Sequence, residues 1–190
     1  MAKDPFPWIK YPLVGVCGLG CRLCPSYHSG GESPCEGCKS EYRMGAGCPI
    51  INCAVKRKGV EFCWECDESA ACEKWKKHRE YGKQRDSFKC YQAQERDIAF
   101  IRKNGVARFE KEQQARERLL REMLSDFNEG RSKSYYCIAA TVMETGELEG
   151  ALDQARRAAE GLDPKGRARV LHGILDGIAG QKKYLLKLRK

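Results

Sequence analysis

Long apolar runs are missing from this 190-residue chain: nothing approaches the 18 or more residues that a membrane span needs. Residues 1–10 hold no apolar stretch of the kind that opens a secretory leader, and Tyr11 to Val16 is short and broken by Pro12 and Gly15. The expectation is a soluble, cytoplasmic protein with no membrane partner. Histidine is scarce, only His28, His78 and His172. No H-E-x-x-H, nucleophile elbow, dinucleotide fingerprint or alternating strand–helix pattern occurs. The sequence therefore nominates no reaction, and whether the protein is an enzyme stays open. Repeats and low-complexity tails are lacking too.

Cysteine is abundant instead. Of the 12 cysteines, ten fall between Cys17 and Cys72. They read Cys17-Gly-Leu-Gly-Cys21-Arg-Leu-Cys24-Pro25, Cys35-Glu-Gly-Cys38, Cys48-Pro49, Cys53, Cys63-Trp-Glu-Cys66 and Cys72. Three pairs are C-x-x-C, the separation at which one tight turn points two thiolates at a single ion while turn amides hydrogen-bond to the sulfurs. Disulfides would need an oxidising compartment, so the pattern predicts metal ligation. This part of the chain is poor in branched aliphatic residues, and ligation would then supply its folding energy.

For zinc, the spacing predicts two tetrahedral sites, Cys21, Cys24, Cys35 and Cys38 in one and Cys48, Cys53, Cys63 and Cys66 in the other. Cys17 and Cys72 remain as replacement ligands or free thiols. The alternative is [4Fe–4S] clusters, which also take four thiolates; Cys24-Pro25 and Cys48-Pro49 have the Cys-Pro dipeptide of ferredoxin ligands, but the spacing within each half departs from the ferredoxin run. Cys17-x3-Cys21-x2-Cys24 also has the spacing of radical S-adenosylmethionine enzymes, with Gly30-Gly31-Glu32 as a glycine-rich counterpart. Leu23 stands where those enzymes usually carry an aromatic side chain, Gly-Gly-Glu follows too soon for an intervening strand and helix, and no barrel pattern is present.

Charge is uneven. Residues 1–72 hold 8 Lys/Arg and 8 Asp/Glu, and residues 73–133 hold 17 against 11, so the whole +9 excess lies outside the cysteine module. A four-thiolate site around a dication adds about −2. A loaded module would thus attract the basic remainder. Lys74 to Lys89 is the densest basic stretch, seven cations against two anions with Trp75, His78, Tyr81 and Phe88 among them. Cations and aromatics are what single-stranded nucleic acid requires. The favoured expectation is a helix whose aromatics dock on the metal module, with a protein as the partner of the whole chain.

The chain divides into residues 1–73, loop-rich and cysteine-rich, and 74–190, where the periodicity turns helical. Helices are predicted over 90–103, stopped by Asn104-Gly105, over 106–127, over 146–160 with Thr145 as cap, and from Asp163-Pro164 with a stripe of Leu171, Ile174, Ile178, Leu185 and Leu188. Tyr135 to Met143 is ambiguous between strand and helix. The predicted fold is mainly α with a Cys-rich, loop-rich metal-binding N-terminal module and little β. Gly130-Arg131-Ser132-Lys133-Ser134 is either a linker or a loop that holds an anion through Arg131, Ser132, Lys133 and Ser134. His28 is a candidate substitute ligand, and Cys137 is either packing or an additional thiol beside the module.

The cysteine motifs, with Lys58-Gly-Val-Glu-Phe-Cys63, Phe100-Ile-Arg-Lys-Asn-Gly and Asn128-x-Gly-Arg-Ser-Lys-Ser-Tyr-Tyr-Cys137, resemble the prokaryotic Cys-rich domain-of-unknown-function family 3795. The resemblance implies a shared Cys-rich module and supplies no activity. These readings converge on a metal-binding protein, zinc favoured, that serves as a structural and interaction module, with a redox or enzymatic iron–sulfur protein and a nucleic-acid-binding zinc protein as alternatives.

Overall fold

Glycine, proline and cysteine break the first 72 residues so often that only short helical pieces form. The computed structural model describes residues 6–30 and 35–190, except for the side chain of Tyr42. The module contains a 3-10 turn at Cys21–Leu23, helix α1 (Glu41–Gly45), helix α2 (Pro49–Ile51) that continues as a π-helical Asn52–Arg57, and a 3-10 turn at Cys63–Glu65. Among the described residues β structure is confined to one antiparallel bridge between Val14 and Gly20. From Glu73 on the chain is almost continuously helical: α3 (Glu73–Gln84), α4 (Gln94–Asn104), α5 (Val106–Asp126), α6 (Lys133–Val142), α7 (Thr145–Ala158) and α8 (Pro164–Lys182). The mainly α fold class is thus what the structure has.

Helix α5 is the axis of the helical part, packed on α4, α6 and α7, with α8 against α7. The main core joins Leu120, Met123, Tyr136, Leu148, Leu152, Leu171 and Leu175, all fully buried, and among the described residues of the module it takes in Leu23 alone. Tyr135 to Met143, ambiguous by period, is helical because α6 is enclosed nearly all round. Tyr136, Cys137, Ile138, Ala139, Ala140 and Val142 are all buried, so no exposed face prints a period on the sequence. Its last carbonyls are taken by arginines of other helices. Arg116 of α5 donates to Ala140 O and Met143 O, and Arg96 of α4 to Thr141 O and Val142 O.

Helix boundaries shift slightly from the sequence expectation. The 90–103 helix starts at Gln94, after a turn closed by Gln94 N–H on Tyr91 O. Thr145 is the first helical residue of α7 rather than its cap; Glu144 precedes it, and the Glu144 N–H donates to Glu147 Oε2 at 2.9 Å. Asp163 caps α8 as expected, its Oδ1 accepting from Gly166 N–H at 2.7 Å. The α8 stripe does not reach Leu185 and Leu188. Lys183 adopts φ +60°, ends the helix, and sends a tail back until Arg189 meets Asp86 of the loop after α3.

Two smaller cores hold the module. One comprises Val16, Met44, Ile50, Ile51, Ala54 and Val55, with Cys38, Cys48 and Cys63 against it; the other joins Val14 and Phe62 to Ile101 of α4 and Phe109 of α5. A buried ion pair supports them. Lys39 Nζ donates to Glu61 Oε1 at 2.9 Å and lies 3.9 Å above the Phe62 ring, while Glu61 also accepts the Lys10 and Tyr11 amides. Burial lowers the Lys39 pKa, opposed by the hydrogen bond to Glu61.

Candidate metal centre

The Cys17-Gly-Leu-Gly-Cys21 loop is built against α4 and α5. Gly18 has φ +86°, and a Cβ there would stand 2.7 Å from Ile98 Cγ1. A Cβ at Gly20 would stand 2.1 Å from Gln113 Oε1 of α5, so only glycine lets the loop approach this closely. From α4, buried Gln94 donates its Nε2 to Cys17 O at 2.9 Å. Arg22, inside the 3-10 turn, donates to Glu110 (2.6 Å) and Glu117 (2.7 Å) of α5. The turn that carries Cys21 and Cys24 is thereby fixed to the helical part.

Around that turn the first group of cysteines assembles. The Cys38 amide donates to Cys21 Sγ at 3.2 Å, as turn amides do in thiolate sites. The Cys21 thiol itself donates to Cys38, so Cys38 is held below the ordinary thiol range, Lys89 adding to the effect, while Cys21 is raised by that bond and by burial. Lys89 Nζ donates to Cys38 Sγ. Burial pulls Lys89 down, but the neighbouring Cys38 and Cys21 outweigh it and the net shift is upward. Arg43 hydrogen-bonds Cys35 and faces Cys38 and Cys24. Of the predicted first set, Cys21, Cys24, Cys35 and Cys38 thus share one neighbourhood with two cations over it.

The second group differs from the sequence partition in its neighbours. Cys53, Cys63 and Cys66 line one pocket, and the fourth cysteine in its wall is Cys72. Cys48, at the N-cap of α2, stands instead near Cys17. Burial raises Cys17 to about 11, with Cys38 and Cys48 contributing, and burial also raises Cys63, with Cys17, Cys72, Cys53 and Cys66 around it. Cys17 and Cys63 therefore join the two groups into one array. Among the described residues no three His, Cys, Asp or Glu side chains are gathered closely enough to hold a single metal ion between them.

Other candidate residues fall elsewhere. His28 Nε2 lies 2.6 Å from Arg22 O, and since a carbonyl only accepts, that nitrogen carries its proton and is not a ligand. In the 130–134 loop, the Gly130 and Ser132 amides donate to Asn128 Oδ1, and Ser132 Oγ donates to Glu129 Oε2. Ser132 Oγ is also 2.8 Å from His172 Nε2. These groups of Ser132 are occupied by the chain itself; Ser134 lines a cavity with Cys24, Lys89, Cys90, Asp97 and Cys137. Cys137 is buried and faces Cys24, a neighbour that residue spacing could not reveal. In the basic segment Trp75 is buried and lines the four-cysteine pocket, whereas Tyr81 and Phe88 are exposed. Gly31 and Glu32 of the glycine-rich stretch lie outside the described residues.

Among the described residues no helix is long and apolar enough to cross a membrane. No curated protein and no solved structure matches the chain. Residues 13–77 match the sequence model of a family described as protein of unknown function (DUF3795), which establishes the resemblance over the cysteine module and the start of α3 and leaves 100–105 and 128–137 outside it.

Proposed function

We propose, with the family match over residues 13–77 as premise, that the protein binds metal through cysteine thiolates and uses the loaded module as a structural platform for a macromolecular partner in the cytoplasm. The observation that carries this reading is the shared neighbourhood of Cys21, Cys24, Cys35 and Cys38 beside Lys89 and Arg43, cations that offset thiolate charge in a half-buried place. Such a donor set, soft and free of carboxylates, fits zinc. When bound, zinc supplies cross-links between turns that have small cores of their own. The chain's own residues do the rest: the Cys38 amide orients Cys21, Arg22 ties the turn to α5, and Lys89 neutralises Cys38.

A second reading, an iron–sulfur protein, is favoured by the pocket of Cys53, Cys63, Cys66 and Cys72, a ring of thiols around a space. Elemental analysis of protein purified without oxygen tests both. Zinc, or iron with sulfide, in stoichiometric amount is expected, and metal-free, fully folded protein would refute both.

A further inference from the structure

Four cysteines from three stretches of chain form the wall of one pocket. Cys53 comes from the π-helical segment after α2, Cys63 and Cys66 flank a single turn closed by Cys66 N–H on Cys63 O, and Cys72 caps the N-terminus of α3. Ile50, Ala54, Val60 and Trp75 make the remaining wall apolar, Lys58 and Lys74 stand in it as cations, and no Asp or Glu is among the described lining residues. Lys58 faces both Cys53 and Cys66 while it pairs with Glu68 at 2.5 Å.

Size separates the possible occupants. Four thiolates on one zinc, at about 2.3 Å each, must come within about 3.8 Å of one another. Here no three of these side chains converge on a point, and the four cysteines stand around a pocket instead. An occupant several ångströms across, holding its thiolates apart, matches this shape. Its net charge with four thiolates would be negative. The two lysines and the N-terminal amides of α3 suit that sign.

From this juxtaposition we infer that Cys53, Cys63, Cys66 and Cys72 are the four ligands of an iron–sulfur cluster, with Cys72 in the place that residue spacing alone gives to Cys48. The inference rests on the reading that the module binds metal, takes up its iron–sulfur alternative, and adds the ligand set. Trp75 closes the pocket on the α3 side and limits the access of water and oxygen.

The test uses the unaltered protein, purified under argon. Iron and acid-labile sulfide are measured, and cysteines are alkylated before and during stepwise removal of iron by a chelator, with the labelled positions read by mass spectrometry. We expect about four iron and four sulfide for this pocket, a broad absorbance near 400 nm, and protection of all four cysteines that is lost in step with the iron. Cys72→Ser should lose that iron and sulfide. Alkylation of Cys72 in fully loaded protein overturns the ligand set. Zinc without sulfide, released as these four cysteines become labelled, overturns the cluster while the metal-binding reading stands. Protein holding neither zinc nor iron overturns that broader reading itself.

Discussion

Lys89 donates its ammonium proton to the sulfur of Cys38, although the two residues belong to stretches that carry opposite expectations. Lys89 closes the basic, aromatic-rich segment, and Cys38 ends a C-x-x-C pair of the cysteine module. One positive side chain of the basic segment serves thiolates, where a solvated phosphate binder was the alternative.

Lys89→Met keeps the length of the side chain and removes the charge. With Cys38 held less firmly as a thiolate, metal in the first group should leave faster. The rate of metal transfer to a chromogenic chelator at fixed pH should rise several-fold relative to wild type, while Lys77→Met, on the exposed side of α3, should leave it unchanged. Equal rates for Lys89→Met and wild type would remove Lys89 from the site.

Nucleic acid should not be held. Trp75 is only 4% exposed and cannot stack on a base, and Arg79, Lys76 and Lys83 are paired with Glu95, Glu73 and Glu80. Titration of single-stranded RNA at physiological salt should be flat. Trp75→Ala should instead destabilise the fold by about 3–5 kcal/mol, and Tyr81→Ala, at an exposed ring, far less. Tight binding that weakens steeply with salt would show the opposite.

Stripping metal should divide the molecule. Among the described residues only Leu23 of the module belongs to the main core, so α5 to α8 keep their packing when the thiolates lose their ion. Circular dichroism should retain most of its helical signal, and proteolysis should cut within residues 35–72. A module that stays protease-resistant after complete removal would show that its small cores suffice.

The Lys39–Glu61 pair predicts an asymmetric double-mutant cycle. Lys39→Met leaves Glu61 buried with a charge and no cation beside it, at a cost of about 3–5 kcal/mol. Lys39→Met with Glu61→Gln should recover part of that loss, because the buried charge is gone and the single amide oxygen still accepts from one of the two backbone amides, Tyr11 N–H, that Glu61 serves. Chemical denaturation of the four proteins measures the coupling.

Asp97 gives a pH dependence of known sign. Burial raises its carboxyl from the ordinary value to about 7, against Arg96 and Arg116, with Glu144 reinforcing the rise. The folded protein thus keeps a proton that the unfolded chain has released above about pH 4, so stability should decline between about pH 4 and 7 and level off beyond. Asp97→Asn should abolish this decline. It should match wild type near pH 4 and exceed it at pH 8 in thermal unfolding.

Much of this molecule was determined along the chain. The helices α5, α7 and α8 follow from apolar stripes, from Asn104-Gly105 and from the Asp163-Pro164 start, because capping and amphipathic burial act within a few residues. The cysteine spacings likewise bring Cys21 and Cys38 together, since C-x-x-C turns are local devices and two of them need only meet once. What lies beyond local reach had to await the tertiary structure. Whether Cys48 or Cys72 stands beside Cys53, Cys63 and Cys66 depends on how α3 seats Trp75 against the π-helical segment, a contact between residues far apart in sequence. The same holds for Cys137 beside Cys24 and for the tail that leaves α8 at Lys183 to reach Asp86. A thiol's neighbours are set by the packing of whole elements, and spacing states only which neighbours a turn can supply.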